Sequence, residues 1–313
     1  MRVVFLGSPE FAIPPLHALQ ESLHEIVLVV TRPPHLARGR KASITTEVAQ
    51  ASSQLGLRCI SPRNVNNAES LNIIRETQPD LLVTVAFGQL MESTILNMAR
   101  YGVINLHPSL LPLYRGASPI QSAIAAGDTE TGVTVLQTDE GWDSGPIYAA
   151  EPVAIGPHDT APMLSNKLAV VGGRLLVQTL DRLDQMDFIP TPQNQTLATM
   201  TSSFRREDAD VDWRMSASAI YNRYRAYTPW PGTRTTIGNR YLKILDCRIG
   251  SEIIDAEPGT PAVVSGALLI ACGAESLEIR RLQPEGRNEM SASEFLHGYR
   301  SLIGECWGTP PDC

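Results

Sequence analysis

The sequence predicts an α/β protein: a doubly wound, Rossmann-like and mostly parallel sheet, followed by a smaller C-terminal β-barrel of OB-like type. Over the first 185 residues, short apolar runs of strand type alternate with helical segments, as expected when helices cover both faces of a parallel sheet. After about residue 205 the pattern changes to short strands separated by glycines and prolines, which is typical of a small barrel. We therefore expect two domains, residues 1–185 and 205–313, joined by a proline-rich linker over residues 186–204 that is almost free of charge.

Apolar runs that end at turn residues define the strands of the first domain. The run at 3–6 is closed by Gly7-Ser8-Pro9, and EIVLVVT at 25–31 is almost continuously apolar, as in a sheet buried on both faces. Residues 80–87 (DLLVTVAF) give the strongest strand pattern of the chain. Further strands are predicted at 58–60, 103–107, 131–137 and 146–155. One helix is predicted to begin near residue 14, a second to end at Gly56, and three more to span 68–76, 118–127 and 160–183.

The second domain begins with a predicted helix at 216–226 and ends with a helix that follows Ser291. Ser291 and Glu294 have the spacing of a capping box at the start of that last helix. Between the two helices, strands are predicted at 233–237, 241–247, 262–264, 268–271 and 277–282.

Composition excludes several classes of protein. The net charge of −7 opposes binding to nucleic acid by bulk charge, although a local basic face remains open. The five cysteines are far apart and form no C-x-x-C pair, so they predict reduced thiols in a cytoplasmic protein rather than disulfides or a zinc site. No apolar run approaches the roughly 18 residues of a membrane span, and a strand at the very start predicts that no signal peptide precedes the fold. The first strand is not followed by GxGxxG, which disfavours a dinucleotide site.

Three side chains stand out as candidates for catalysis: Asn105, His107 and Asp143. Asn105 and His107 lie two residues apart on the predicted strand 103–107, so they point to the same side of it, and Pro108 ends the strand. Open α/β sheets bind their ligands at the carboxyl ends of such strands. Asp143 follows in a turn flanked by glycines, near enough along the chain to fold back onto the other two.

The chemistry of these three groups favours acyl transfer to an amine. An amide and an imidazole that converge can both donate hydrogen bonds to an oxyanion that develops on a carbonyl. Asp143 is suited to hold or charge the imidazole, or to relay a proton through water. The incoming amine is itself the nucleophile, so the enzyme needs no serine or cysteine nucleophile of its own. Taken singly each residue is weak support, since a histidine after a strand is most often structural and an aspartate between glycines most often a turn residue.

Basic residues cluster in the loop at 32–43, which also contains two prolines and a glycine. The four are Arg32, Arg38, Arg40 and Lys41. The loop is either a solvated connection or an arm that binds phosphates, which arginine recognises with a forked pair of donors. Charge is also uneven in the second domain, +4 over 205–248 and −6 over 249–313, which fits either a mixed surface or one basic face for a polyanion.

The stretches NLHPSLLPLYRGASPIQ, from Asn105, and DEGWDSGPI, from Asp139, resemble the catalytic motifs of the folate-dependent formyltransferases. GSPEFA after the first strand, the basic loop, DADVDW, RAYTPWPGT and MSASEFLHGYR extend the resemblance over nearly the whole chain. The C-terminal motifs narrow it to the branch of the family that acts on methionyl-tRNA.

The resemblance implies transfer of a formyl group from 10-formyltetrahydrofolate to the α-amino group of methionine on initiator tRNA, by a monomer without a metal. Asn105 and His107 would hold the formyl oxygen and the tetrahedral intermediate, and Asp143 would assist His107 and proton transfer. The residues that would line the folate site are Ser109, Leu110, Leu111 and Pro112; Gln89, Leu90 and Met91; and Thr138, Asp139, Glu140, Gly141 and Trp142.

The basic loop is similar to the family's insertion that meets the acceptor stem of tRNA. Arg38 is the best match to the key arginine of that insertion, but the loop is one residue short in this alignment, so Arg40 is the alternative, with Lys41 beside it.

Three other functions compete with this one. A formyltransferase for a small amine, such as glycinamide ribonucleotide or an amino sugar, would lack the C-terminal barrel or the long basic loop. A non-catalytic RNA-binding module on the same fold is disfavoured by the intact Asn105, His107 and Asp143. A dehydrogenase is disfavoured by the missing glycine fingerprint.

Overall fold

The structure is a computed structural model that describes residues 1–36, 43–185, 188–238, 240–299 and 305–308. The chain divides into two compact units. The first contains Met1–Pro119, Glu130–Ala154 and Met163–Thr201, and the second contains Ile120–Thr129, Ile155–Pro162 and Ser202–Cys313.

The first unit contains eleven described strands. They are β1 (Arg2–Gly7), β2 (Glu25–Val30), β3 (His35–Leu36), β4 (Ser43–Ile44), β5 (Cys59–Ile60), β6 (Leu81–Val85), β7 (Val103–His107), β8 (Arg115–Gly116), β9 (Glu130–Gln137), β10 (Ile147–Ala154) and β11 (Met200–Thr201).

Seven of these strands form the central sheet, in the order β5-β2-β1-β6-β7-β9-β10. The five from β5 to β7 run parallel, whereas β9 is antiparallel to both β7 and β10. Val3, Val4, Phe5 and Leu6 of β1 are fully buried, and all of β6 is buried, because both lie in the middle of a covered parallel sheet. Two smaller pairings lie outside the sheet: β3 with β4, and β8 with β11.

Eight helices are found among the described residues. They are α1 (Ile13–Gln20), α2 (Glu47–Gln54), α3 (Ala68–Glu76), α4 (Ser93–Leu96), α5 (Pro119–Ala126), α6 (Ala161–Asp184), α7 (Ala217–Tyr227) and α8 (Ala292–Gly298). Polar side chains fix several of their first turns: Thr46 caps α2, Asn67 caps α3 and Ser216 caps α7. At α8 the predicted capping box between Ser291 and Glu294 is present.

The second unit is built on an antiparallel sheet. Its strands are β12 (Thr233–Ile237), β13 (Arg240–Ile249), β14 (Pro261–Val264), β15 (Ala267–Ala271), β16 (Ser276–Pro284) and β17 (Met290–Ser291). The order is β12-β13-β16-β15-β14, with β17 on β16. Trp213, Phe295 and Trp307 fill the core of this unit with edge-on ring contacts.

The predicted fold class is confirmed: a mostly parallel α/β sheet, followed by a separate antiparallel sheet near the C-terminus. The predicted strand at 233–237 coincides with β12. Residues 188–201, placed in the expected linker, group with the first unit and contain β11. In the part of the chain that the structure describes, no helix is long and apolar enough to cross a membrane.

Candidate active site

Asn105 and His107 lie on β7, between β6 and β9. Asn105 is paired with Thr84 of β6, and His107 faces Thr134 of β9. Their spacing puts both side chains on the same side of the strand. Asn105 is half-buried, and His107 is only 4 % exposed. The strand thus carries an amide and a buried imidazole close together at its carboxyl end.

Asp143 reaches these two residues from the loop between β9 and β10. Its Oδ1 accepts a hydrogen bond from Asn105 Nδ2 at 3.1 Å, and its Oδ2 lies 3.5 Å from His107 Nδ1. Oδ2 also accepts a hydrogen bond of 2.9 Å from the backbone N–H of Gly116. The structure therefore brings the three predicted catalytic residues together in one polar cluster.

The protonation of His107 follows from its two neighbours. Its Nε2 lies 3.0 Å from the carbonyl oxygen of Tyr114, and because a carbonyl can only accept, Nε2 carries the hydrogen. Burial lowers the pKa of His107 below 6.5, while the Asp143 carboxylate and the Tyr114 carbonyl act in the opposite direction. In the neutral ring the lone pair of Nδ1 faces a carboxylate, which fits the long 3.5 Å separation. Uptake of a proton at Nδ1 would turn this contact into an ion pair.

The structure also assigns contacts that the sequence did not predict. Gln193, 8 % exposed, donates from Nε2 to the carbonyl oxygens of Asp143 (2.8 Å) and Gly145 (2.7 Å). Its Oε1 accepts hydrogen bonds from the buried guanidinium of Arg115. Arg115 lies in the SLLPLYRG segment that follows His107, so its position in the sequence could have indicated that it lies near the site. Gln193 had no such signal, because it lies in a polar, aperiodic stretch that resembles a linker.

The predicted folate segment at 109–112 is held firmly against β9. Ser109 is fully buried; its hydroxyl donates to Leu113 O (2.6 Å), and its carbonyl accepts from Thr134 Oγ1 (2.7 Å). The Leu111 N–H donates to the same Thr134 hydroxyl at 3.1 Å. Leu110 and Pro112 are half-buried. The segment is therefore a rigid support beside the cluster.

The second predicted folate segment follows β6. Gln89 is bound to the loop between β5 and α3, because its Oε1 accepts from Val65 N (2.8 Å) and its Nε2 donates to Pro62 O (3.0 Å). Met91 packs against the apolar core under the sheet. Leu90, in contrast, is 72 % exposed.

The third predicted folate segment, 138–142, leads into Asp143. Asp139 organises this loop, because its carboxylate accepts from the Gly141 N–H and from the Ser144 hydroxyl, each at 3.0 Å. Glu140 and Gly141 are exposed, and Trp142 is 70 % exposed.

Thr138, at the start of the same segment, has a buried hydroxyl that finds no hydrogen-bond partner among the described residues. A buried polar atom normally has a partner, so this hydroxyl is an exception within the segment that leads to Asp143.

Arg38, Arg40 and Lys41, the predicted tRNA-binding residues, lie outside the described residues. In the second unit, several arginines of the basic segment are paired with carboxylates: Arg214 with Asp212, Arg234 with Asp210, and Arg248 with Glu278. Within the described ranges, no group of three or more His, Cys, Asp or Glu side chains is arranged to hold a metal ion.

Comparison with known proteins identifies the family of the chain. A family model described as formyl transferase matches residues 1–180, and one described as formyl transferase, C-terminal domain, matches residues 204–300. The two together define the chain as a formyltransferase.

Relatives named methionyl-tRNA formyltransferase are similar over nearly the whole chain. The methionyl-tRNA formyltransferase of Acidobacterium capsulatum is 39% identical over 300 residues, which cover 95% of this chain and 96% of the relative. That of Carboxydothermus hydrogenoformans is 39% identical over 307 residues, 97% of this chain and 99% of the relative. The chain therefore belongs to the methionyl-tRNA formyltransferase family of enzymes.

Solved structures with low identity share the fold. An N-formyltransferase from Helicobacter canadensis, solved with folinic acid and dTDP-3-aminofucose, has a TM-score of 0.66 at 16% identity, covering 88% of this chain and 98% of its own. HypX from Aquifex aeolicus, in complex with tetrahydrofolic acid, has a TM-score of 0.62 at 15% identity and covers 95% of this chain and 47% of its own.

Proposed function

We propose that this enzyme transfers the formyl group of 10-formyltetrahydrofolate to the α-amino group of methionine on initiator tRNA, the step that prepares the tRNA for translation initiation. The observation that carries the proposal is the contact of Asp143 with both Asn105 and His107 in a formyltransferase fold. The choice of methionyl-tRNA as acceptor is supported by relatives of that name, which align with both parts of the chain.

The proposed reaction is a direct attack of the amine on the formyl carbon. A C–N bond forms between the amine and this carbon, and the bond from the carbon to N10 of the folate breaks. A proton leaves the amine and reaches the departing nitrogen. The charge that develops on the formyl oxygen needs hydrogen-bond donors in a site shielded from water.

Asn105 is the first of these donors. One hydrogen of its amide is directed at Asp143, which leaves the second for the formyl oxygen. His107 is the second donor, and it reaches the substrate when its ring N–H exchanges the Tyr114 carbonyl for the formyl oxygen.

Asp143 handles the proton. Its side chain is 18% exposed, so an ammonium formed by the attack can approach it directly or through a water molecule. Asp143 also stabilises a positive charge on His107, since it raises the pKa of that ring.

The donor molecule fits the three segments that the resemblance assigns to it. The exposed apolar side chains of Leu90 and Trp142 would cover the pterin, with Thr138 at the start of the same segment as Trp142. The segment at 109–112 would set its distance from Asn105 and His107.

The acceptor would require the rest of the chain. We assign the formyl-transfer chemistry to residues 1–185 and tRNA contacts to the domain at 205–313, together with Arg38, Arg40 and Lys41 of the basic loop. Phosphate contacts of this kind supply affinity without reading the sequence of the tRNA.

A formyl-transfer assay with three acceptors tests the proposal. The purified enzyme and 10-formyltetrahydrofolate are incubated with initiator methionyl-tRNA, elongator methionyl-tRNA or glycinamide ribonucleotide, and the formylated product is counted. We expect turnover with the initiator tRNA at a kcat/KM well above that of the other two. Preference for glycinamide ribonucleotide, or for an amino sugar nucleotide added as a fourth acceptor, would replace methionyl-tRNA as the substrate.

A further inference from the structure

A closed circuit of contacts surrounds Asp143. The peptide N–H of Gly116 donates to its carboxylate at 2.9 Å. The neighbouring Arg115 donates from its side chain to Gln193, and Gln193 donates back to the carbonyl oxygen of Asp143 at 2.8 Å. Two neighbouring residues therefore hold Asp143: Gly116 binds its carboxylate directly, and Arg115 binds its backbone carbonyl through Gln193.

Gln193 uses all of its side-chain hydrogen-bonding groups in this circuit. The two hydrogens on Nε2 go to the carbonyls of Asp143 and Gly145, which lie on either side of Ser144. Oε1 accepts from Nε (3.1 Å) and Nη2 (2.6 Å) of Arg115. The orientation of the amide is therefore unambiguous, because two carbonyls only accept and a guanidinium only donates.

Arg115 is itself fixed. It is 5 % exposed, and its third nitrogen, Nη1, donates to Gln195 Oε1 at 2.8 Å. Its backbone donates to Thr199 O at 2.9 Å and accepts from the Thr201 hydroxyl at 3.0 Å. A cation buried in this way is costly unless its donors are satisfied, so the fork holds Gln193 in a single position.

Asp143 needs such support because its backbone conformation is uncommon. Its φ of +49° lies in the left-handed region, and its carboxylate must serve Asn105 and His107 at once. Movement of the peptide by a fraction of an ångström would separate the carboxylate from one of these partners.

We infer that Gln193, fixed by Arg115, is a positioning residue for the formyl transfer: it holds the Asp143 peptide so that the carboxylate meets Asn105 and His107. Gln193 acts through Asp143 and does not touch the substrate. The inference deepens the proposed function and rests on it for the reaction that is measured.

The test compares Gln193→Met with Gln195→Met in the full-length enzyme. Gln195 is the control, because this exposed glutamine two residues away binds only Nη1 of the same arginine, outside the Nε and Nη2 fork that holds Gln193, and makes no hydrogen bond to Asp143. For Gln193→Met we expect kcat to fall by about 10- to 100-fold, the cost of a small misplacement of a catalytic group. KM for both substrates should stay near the wild-type value, and Gln195→Met should keep wild-type kcat.

A second readout separates positioning from mere stability. The imidazole of His107 is titrated by NMR, with its signal assigned by its loss in His107→Gln. Because the Asp143 carboxylate raises the pKa of His107, Gln193→Met should lower that pKa, in the same direction as Asp143→Asn. Gln195→Met should leave it unchanged.

Several outcomes would overturn the inference. They are a wild-type kcat in Gln193→Met, an equal loss in Gln195→Met, or a His107 titration that does not move although kcat falls. If Gln193→Met does not fold, Gln193→Asn, which withdraws the amide by one methylene, is measured in the same way. Failure of the wild-type enzyme to formylate methionyl-tRNA would instead refute the proposed function, while the NMR comparison would still test the positioning.

Discussion

At the scale of single residues, the charge of Asp143 should matter more than its shape. Asn in its place keeps an oxygen acceptor and tolerates the positive φ, but it cannot take a proton or stabilise a charged imidazole. We therefore expect Asp143→Asn to lower kcat by about 100-fold or more, measured by formylation of methionyl-tRNA at saturating folate donor. Its melting temperature should fall modestly, because either Asn105 Nδ2 or the Gly116 N–H loses its acceptor when one carboxylate oxygen becomes an NH2 group.

Glu151→Gln provides the control for this substitution. Glu151 is on β10, pairs with Arg174, and is a carboxylate without a proposed part in the chemistry. It should keep wild-type turnover. An Asp143→Asn enzyme with more than a tenth of wild-type kcat would contradict the proposed proton transfer.

A second residue-scale prediction concerns His24 and acid. His24 is buried, with Nδ1 3.2 Å from the amino terminus and Nε2 3.1 Å from Asp181 Oδ1. Burial first, and then the charge of the amino terminus, lower its pKa below 6.5, although Asp181 opposes this. The folded state therefore binds fewer protons than the unfolded state just below pH 6.5. The stability present above that pH is lost as the pH falls, by at most about 1.4 kcal/mol per pH unit for one histidine.

Urea unfolding between pH 7.5 and 5.5 checks this prediction. The free energy of unfolding of the wild type should fall over that range, and it should fall less in His24→Gln. His107, whose pKa burial also lowers, keeps its own share of the pH dependence in that variant. Equal slopes for the two proteins would show that His24 is not buried in its neutral form.

The sequence predicted the catalytic candidates at this scale but not their supports. Asn105, His107 and Asp143 could be predicted from the sequence, because a spacing of two on a strand and a glycine-flanked turn are local patterns. The contacts of Gln193 with Asp143 and Arg115 join residues 50 and 78 positions apart along the chain. A buried polar network of this kind leaves no periodicity, since its members are set by geometry and not by hydrophobicity.

At the scale of elements, the short pairing of β8 with β11 fixes one wall of the site. Gly116 on β8 has a φ of +104°, and a Cβ placed there would lie 2.5 Å from the backbone oxygen of Thr201. Gly116→Ala must therefore push β11 away and disturb the N–H that donates to Asp143. We expect a loss of kcat of about 10-fold or more together with a lower melting temperature, measured on the same preparation.

Gly56→Ala separates the clash from the backbone strain. Gly56 also has a positive φ, +68°, but a Cβ there meets nothing within 4 Å. It should lose stability by about 1 kcal/mol or more through strain and keep its turnover. If Gly116→Ala behaves like Gly56→Ala, the pairing of β8 with β11 has no part in holding the site.

Helices and strands could be predicted where their sequence patterns are strong, whereas the parallel or antiparallel direction of a strand could not. The apolar run of β6 and the capping box of α8 appear where the sequence places them. The antiparallel direction of β9 could not be predicted from the sequence, because a buried strand has the same alternation of side chains in either direction. β11 is two residues long and is defined only by its pairing with β8, so its sequence shows no strand pattern.

At the scale of the whole molecule, the charge pattern must reconcile an acidic protein with an RNA substrate. The net charge is −7, and arginines such as Arg214, Arg234 and Arg248 are already paired with carboxylates. Phosphates would have to compete with these pairs. The basic loop is therefore expected to supply a large part of the electrostatic attraction, with Arg38 as its leading residue and Arg40 as the alternative.

Arg38→Ala and Arg40→Ala, measured side by side, decide which arginine of the loop meets the tRNA. Removing a phosphate contact should raise KM for methionyl-tRNA several-fold and leave KM for the folate donor unchanged, because the donor would bind at the carboxyl end of β7. Over a salt series, the loss of one contact should also make log affinity fall less steeply with log salt, by a slope of about 1. We expect the larger effect in Arg38→Ala. If neither variant changes KM or the salt slope, the loop is only a connection, and the domain at 205–313 must provide the phosphate contacts alone.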